Sequence, residues 1–440
     1  MIPKEIDYIL KRLEENNFLG YIVGGSVRDI LMGKEPEDYD LTTDASPNEM
    51  KEIFNDYKIV DTGIEFGTLI LIKTNVRVEI TTFRTEGSYS DGRRPDWVKF
   101  VDDLELDLSR RDFTINAIAM DRNRKIYDPF GGKYDIENEI IRAVGDPKKR
   151  FKEDYLRILR GIRFKSKLNF TIEENTLIAM KDLAHGLKYI SAERIQSEFN
   201  KIMLSEIPSR GIYLMEEIGA LEIIMPEIMP TVGFDQMTPY HQKTLFDHML
   251  CVVDNCPPKL HLRLAALMHD ISKPDLLTIG EDGKGHFYGH EIEGAKLSRE
   301  ILKRLKYSKK TINEVDSLIY NHMKAHEVMK KKAVKRLIAK VGEEYIFDLL
   351  DLMIADRICT TDERDIEFLI ERKNLAYEIL NSNESYSIST LAINGNDIKA
   401  LGFEEGKIIG EILNYLNDLV LEDEKLNEKE KLIEIIRDKF

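Results

Sequence analysis

Cysteine and tryptophan are scarce: the 440 residues include three Cys and one Trp. Cys251, Cys256 and Cys359 form neither a CxxC pair nor an even set, so no disulfide framework is expected and a reducing compartment suits the chain. Nowhere do apolar residues approach the roughly 18 in a row that a membrane span needs. The opening stretch, MIPKEIDYILKRLEENNF, spaces its apolar positions as a helix does and carries charge throughout. It lacks the apolar heart of a secretory signal, so cytoplasmic residence is the expectation. Positive charge is in deficit as well: 64 Lys and Arg against 79 Asp and Glu leave a net charge of -15, which at first sight argues against a polyanionic partner. What is present is the balance of a folded globular protein, 42% hydrophobic and 32% charged, with length enough for about two to four cores in series.

Hydrophobic periodicity divides the chain into two regimes. Strand-like runs fall in the first third, at Tyr21–Val23, Asp38–Leu41, Tyr57–Val60, Thr68–Ile72, Val76–Phe83 and Val98–Val101, with helices before and between them. Two adjacent runs separated by Lys73-Thr74-Asn75 read as a hairpin. From Lys152 onward, segments such as Tyr155–Lys165, Glu193–Leu204, Leu260–His269 and Glu291–Leu305 carry apolar residues at helical spacing. Breaks are expected at Asp146-Pro147, near Pro226–Pro230 and around Ser382–Ser389. The predicted organisation is an α/β head over 1–142, a helical neck over 143–230, a helical body over 231–360 and a helical tail over 361–440. The final stretch, LEDEKLNEKEKLIEIIRDKF, alternates charge signs and reads as a solvated helix.

Tyr21–Thr43 reads YIVGGSVRDILMGKEPEDYDLTT. A short strand, a glycine turn, a helix bearing Arg28, and then Asp38-Tyr39-Asp40 follow one another. A glycine turn entering a helix offers backbone N–H groups to an anion, so Gly24, Gly25 and Ser26 are candidate triphosphate contacts, with Arg28 as a forked donor. In a strand Asp38 and Asp40 would share a face and could hold Mg²⁺ for nucleotidyl transfer. Glu79, in VRVEITTF, is a candidate third acidic group, or else a surface residue on an alternating strand.

The segment GGSVRDILMG…DYDLTT resembles the first motif of the class II tRNA nucleotidyltransferases and bacterial poly(A) polymerases. These belong to the DNA polymerase beta-like nucleotidyltransferases. SRRDFTINAIAMD (Ser109–Asp121), DPFGGKYD (Asp128–Asp135), EDYLRILRGIRF (Glu153–Phe164) and SAERIQSEF (Ser191–Phe199) follow in the family's order. The resemblance implies a polymerase beta-like α/β head with a mixed sheet, followed by the helical neck, body and tail. It implies that Gly25 and Arg28 contact the incoming nucleotide and that Asp38 and Asp40 bind catalytic Mg²⁺. It further implies that Arg111 and Asp112 address the ribose and phosphates, and that Asp154 and Arg157 select the base, with Arg160 and Arg163 following. The implied reaction adds C, C and A to the tRNA 3′ end from CTP and ATP. The loop Arg84–Phe100, RTEGSYSDGRRPDWVKF, resembles the flexible loop of CCA-adding and A-adding members, which disfavours a CC-only enzyme. A-only addition is the leading alternative, and poly(A) polymerases tend to be longer and more basic.

Eight of the nine histidines lie between His241 and His326. His248, His269-Asp270 and Asp356 resemble the HD metal-dependent phosphohydrolase pattern, which implies a divalent metal site on these four residues. His290 in GHEIEGA and His322 in IYNHM belong to the same cluster. Imidazoles with carboxylates suit a transition metal such as Ni, Mn or Co better than Mg²⁺ alone. After His-Asp the pattern usually has one residue and then Gly-Lys, whereas this chain has Ile271-Ser272-Lys273. Hydrolysis as the dominant activity is a second reading, with the head as a degenerate RNA-binding module.

Local charge departs from the bulk value. Arg142–Lys167 holds ten Lys and Arg against three acids, a candidate phosphate-backbone grip. A second basic run comprises Lys330–Lys332, Lys335, Arg336 and Lys340.

Overall fold

Apolar residues at Ile6, Ile9, Leu10 and Leu13 line one face of the first helix, Lys4–Glu15, which packs on the strand Gly20–Val23. The structure is a computed structural model that describes residues 2–73, 76–87, 97–238, 243–325, 329–360, 365–382 and 387–440. It divides into two units, Met1–Pro226 and Glu227–Phe440, so the predicted head and neck share one unit and the predicted body and tail share the other.

The first unit contains β1 (Gly20–Val23), β2 (Asp40–Thr43), β3 (Lys58–Gly63), β4 (Thr68–Lys73), β5 (Val76–Thr82), β6 (Arg84–Glu86), β7 (Val98–Phe100), β8 (Ala119–Met120) and β9 (Ile126–Tyr127). Seven of these strands form a mixed sheet in the order β3-β4-β5-β2-β1-β8-β9. β2 runs parallel to β5, with Asp40 opposite Glu79, and antiparallel to β1, with Asp40 opposite Val23. That register places two acidic residues side by side at one end of the sheet.

The second strand begins two residues later than its expected start at Asp38. Asp38 lies on a bend, while Thr42 and Thr43 continue the strand with buried hydroxyls that donate to Thr81 O (3.0 Å) and Leu19 O (2.6 Å). The expected strand at Val98 pairs with β6 in a separate two-stranded ribbon. The short strands β8 and β9 have too little periodicity to be read from sequence. Residues 88–96 of the loop predicted at Arg84–Phe100, and Thr74-Asn75 of the predicted hairpin turn, lie outside the described residues.

At the expected break, Asp146 and Pro147 start a helix. The Asp146 carboxylate accepts from Lys148 N at 2.8 Å, capping Pro147–Glu153, and Pro147 occupies the first turn, where its missing N–H costs nothing. Asp154 breaks the helix in an extended conformation, and its own carboxylate accepts from Leu156 N at 3.0 Å as the long helix Leu156–Leu168 begins.

Among its described residues the second unit is helical, apart from a two-stranded ribbon at Thr278–Ile279 and Gly285–His286. Helices Leu245–Asn255, Leu260–Met268, His290–Arg304, Lys309–Asn321 and Ile346–Thr360 pack around one another. Contrary to the expectation from cysteine spacing, Cys251 and Cys359 form a disulfide across 108 residues, and Cys256 is free and buried. Spacing arithmetic misses this pair because it depends on the packing of Leu245–Asn255 against Ile346–Thr360. The terminal helix, Lys429–Lys439, is not solvated all round: Leu432 and Ile436 are fully buried against Ile398, Ile412 and Leu416. The second basic run turns to the same tail, with Lys332 pairing with Glu422, Arg336 with Asp418 and Lys335 with Glu424. No described helix is long and apolar enough to cross a membrane.

Candidate functional site

Gly24 turns the chain out of β1 at φ 73°, a conformation that favours glycine. A Cβ here would also stand 3.1 Å from Arg111 Nη1, so glycine lets the Arg111 guanidinium lie against the turn. The Gly24 N–H donates to Ile118 O at 3.3 Å and is spent within the fold, not offered to a phosphate as expected. The Ser26 side chain is buried, and its hydroxyl donates to Val23 O and accepts from Asp40 N (both 3.3 Å). Its hydroxyl ties the end of β1 to the start of β2 and so places Asp40.

The cleft beside this turn has a volume of about 1210 Å³. The structure brings to it Gly24, Gly25, Arg28, Asp38, Asp40, Arg111, Asp112, Asp154, Arg157, Arg160 and Arg163, together with Glu79. The Arg28 guanidinium is buried and fixed, donating to Asp29 Oδ1 from Nε (2.9 Å) and Nη2 (2.7 Å) and to Asn116 Oδ1 from Nη1 (2.9 Å). Arg111 Nη2 lies 3.5 Å from Asp107 Oδ2. Asp107 is fully buried and also accepts from Arg110 Nε at 2.9 Å. Asp112 accepts from Arg160 Nε at 2.5 Å and from Phe113 N at 2.9 Å. Arg163 Nε lies 3.2 Å from Glu198 Oε2.

Two carboxylates respond oppositely to this setting. Desolvation by the cleft walls, then Glu79 and Asp38 as neighbouring acids, push Asp40 up to about 6 despite Arg111 and Arg160. Burial alone would raise Asp112 too, but Arg160 and then Arg157 hold it at about 2. Asp112 is therefore a permanent anion that orients Arg160, whereas Asp40 is an anion under strain from like charge. A divalent cation would relieve that strain, and the hard oxygen donors of Asp38, Asp40 and Glu79 fit Mg²⁺.

The expected ladder of side chains from Asp154 to Arg163 on one helix face is only partly present, because Asp154 precedes the helix. Asp154 accepts a two-pronged contact from Arg194, Nη1 at 3.2 Å and Nη2 at 2.6 Å. Arg157 donates to Glu153 Oε2 (2.7 Å), Arg150 O (3.1 Å) and Arg110 O (3.0 Å). Both side chains are thus held rigidly at the cleft wall. Sequence reading missed Asp107, Asn116 and Arg194 as partners. Arg194 had a signal in SAERIQSEF, but Asp107 and Asn116 are ordinary polar residues until the chain folds.

In the second unit, His248, His269, Asp270 and Asp356 converge, and His290 and His322 join them. His248 Nε2 lies 3.1 Å from Asp356 Oδ1 and 3.7 Å from Asp270 Oδ2, and His269 Nε2 lies 3.1 Å from Asp270 Oδ2. On the other side His290 Nε2 and His322 Nε2 lie 3.3 and 3.7 Å from Asp270 Oδ1. All four rings are buried. Although burial opposes its charge, His269 and Lys273 hold the Asp270 carboxyl far below the usual range. The sequence departure at Ser272 has a local use: its hydroxyl donates to His290 O at 2.9 Å. His241 and His326 of the predicted cluster lie outside the described residues.

Paired carboxylates at the end of a mixed sheet, facing a cleft walled by guanidinium groups, define a nucleotidyltransferase head. Comparison with known proteins agrees. A family model described as the Poly A polymerase head domain matches residues 20–142. One described as the probable RNA and SrmB-binding site of polymerase A matches 169–231, and one described as a putative tRNA nucleotidyltransferase domain 2 matches 291–436. The CCA-adding enzyme of Streptococcus gordonii is 48% identical over 216 residues, 49% of this chain and 54% of that protein, so the matched stretch spans about half of that relative. The CCA-adding enzyme of Levilactobacillus brevis is 33% identical over 448 aligned positions, covering 99% of each chain. The crystal structure of Bacillus stearothermophilus CCA-adding enzyme in complex with CTP superimposes with a TM-score of 0.75 at 27% identity, covering 100% of this chain and 99% of that one. The chain belongs to the family of CCA-adding enzymes.

Proposed function

We propose that this protein adds C, C and A to the 3′ end of tRNA, using CTP and ATP and no nucleic-acid template. The observation that carries the reading is the single cleft in which Asp38, Asp40 and Glu79 face Arg28, Arg111, Arg160 and the Asp154–Arg157 wall. Arg28 and Arg111 are fixed by Asp29, Asn116 and Asp107, so they meet a triphosphate with little reorganisation. Cytosine and adenine both present an exocyclic amine beside an unprotonated ring nitrogen. A carboxylate acceptor at Asp154 and a guanidinium donor at Arg157 match that pair, and uracil and guanine reverse it. The tRNA terminal hydroxyl attacks the α-phosphorus, the bond to the bridging oxygen breaks, and pyrophosphate leaves. Asp38 and Asp40, with Glu79 alongside, would hold Mg²⁺, which when bound would activate that hydroxyl and neutralise the leaving charge. Positioning by Arg28, Arg111 and Arg160 supplies the rest.

The cluster His248, His269, Asp270 and Asp356 takes a divalent transition ion in this reading, because its imidazole donors suit Ni, Mn or Co. In this reading the enzyme works in the cytoplasm, where the Cys251–Cys359 bond meets reducing thiols. The test is incubation of purified protein with tRNA lacking its whole CCA end and each labelled nucleoside triphosphate. Two C residues followed by one A are expected. Failure to incorporate CTP, with A added only to tRNA ending in CC, would replace this reading with A-only addition.

A further inference from the structure

Three aromatic rings gather beside Asp154 and reach solvent. Tyr155 follows Asp154 in the chain, and its ring neighbours those of His185 and Tyr189, at centroid distances of 6.5 and 6.3 Å. Tyr189 is 62% exposed, His185 is exposed and Tyr155 is half-buried. A lone exposed ring is ordinary, but grouped rings left in water mark a contact surface. We infer that Tyr155, His185 and Tyr189 form a stacking platform for the unpaired 3′-terminal bases of the RNA substrate, next to the wall where Asp154 meets the incoming nucleotide. The inference rests on the reading of the cleft as a site of nucleotidyl transfer to tRNA, and it assigns residues to the strand being extended.

Local structure holds the rings in place. Asp154 is extended (φ -150°, ψ 106°), so its side chain and the next diverge: Asp154 faces the cleft, and Tyr155 turns to the short helical turn Ala184–Tyr189. Gly186 makes room for it, since a Cβ there would stand 2.1 and 2.2 Å from Tyr155 Cδ1 and Cε1. The His185 ring is anchored, with Nδ1 donating to Asp182 O at 3.0 Å. Lys188 Nζ stands 5.0 Å from the Tyr189 centroid. Lys148 pairs with Asp182 at 2.7 Å, which ties the helix Pro147–Glu153 to the same turn and leaves Lys149 and Lys152 of that helix exposed. Unpaired bases offer a flat face whatever their identity, and the phosphates between them seek positive charge, so exposed rings with lysines beside them match a single strand. A double helix does not fit as well, because its bases are already stacked on one another.

The test places 2-aminopurine, a fluorescent base that dims when stacked, at the 3′-terminal nucleotide of a tRNA lacking its CCA end and titrates it with the full chain. Quenching is expected on binding. Tyr189→Ala, which removes an exposed ring, should reverse most of the quenching and weaken binding about tenfold, whereas Tyr189→Phe should keep both. His185→Ala should act in the same direction to a smaller degree. Tyr189→Ala should leave the KM for CTP within about twofold and should not weaken binding of the same tRNA trimmed back to its paired acceptor end. Quenching untouched by Tyr189→Ala, or an equal loss of affinity for the trimmed tRNA, would overturn the platform. Tyr189-dependent quenching by an unsubstituted protein that adds neither C nor A to this tRNA would leave the platform standing and overturn the reaction assigned to the cleft.

Discussion

Asp40 is held as an anion against the preference of its surroundings, and that has a measurable cost. Its pKa rises from 3.8 to about 6, chiefly by desolvation and then by Glu79 and Asp38. A carboxyl whose folded pKa is raised binds its proton more tightly in the native state. The penalty is therefore absent below about pH 4, grows as pH rises through the window from 3.8 to about 6, and is complete above it. At about 1.4 kcal/mol per unit the ceiling is about 3 kcal/mol. The carboxylate is open to the solvent of the cleft, and screening there reduces the expected cost to about 1 kcal/mol. Asp40→Asn should then abolish nucleotidyl transfer yet raise the melting temperature of the Met1–Pro226 unit at pH 7.5 in EDTA, by about 2–4 °C for a unit of this size. The increment should shrink at pH 4.5, and MgCl₂ should stabilise the unsubstituted protein more than the variant. Because the chain has two units, calorimetry must resolve the transition belonging to the head. An Asp40→Asn protein that melts at or below the unsubstituted protein in EDTA at pH 7.5 would refute the electrostatic account of this site.

Four further substitutions have expected outcomes. Arg160→Leu should cost about 3 kcal/mol in urea titration, because it strips Asp112 of its principal cation in a buried setting. The stability Asp112 contributes is present above its unfolded pKa near 4 and is lost as pH falls toward about 2. Ser26→Ala should cost about 1 kcal/mol and leave the KM for CTP within about twofold, since its hydroxyl serves the fold. Gly24→Ala should instead lose activity, through backbone strain of about 1–2 kcal/mol and displacement of Arg111. Cys251→Ser should lower the melting temperature of the second unit, with about 4–5 kcal/mol as the chain-entropy ceiling for a 108-residue separation. Dithiothreitol should bring the unsubstituted protein to the variant's level and leave the variant unchanged.

The cleft was legible in sequence where its chemistry is local. Gly24 through Asp40 lies within one strand–turn–helix–strand passage, so residue types and order suffice to bring them to one place. The same passage misleads about the Gly24 N–H, which donates to Ile118 O, because hydrogen-bond donors in a tight turn serve either a ligand or the fold and only the coordinates show which. Asp107, Asn116 and Arg194 orient Arg111, Arg28 and Asp154 from 4, 88 and 40 residues away. In the Asn116 and Arg194 cases no local pattern connects the partners, and in the Asp107 case the pairing looks like any helix-surface ion pair. The basic segment Arg142–Lys167 shows the same limit in its charges. Its excess suggested a grip on the phosphate backbone, yet Arg142 pairs with Asp135 and Glu173, Lys148 with Asp182, Arg150 and Arg157 with Glu153, Arg160 with Asp112, and Arg163 with Glu198. Lys149, Lys152 and Lys167 remain exposed. Of the segment's ten cationic side chains six are ion-paired, and three of those, Arg157, Arg160 and Arg163, line the cleft. Bulk charge argued against an RNA partner, whereas local charge pointed to the segment that runs along the cleft. Ion pairs hold these three guanidinium groups at the cleft, while Lys149 and Lys152 keep their charge exposed.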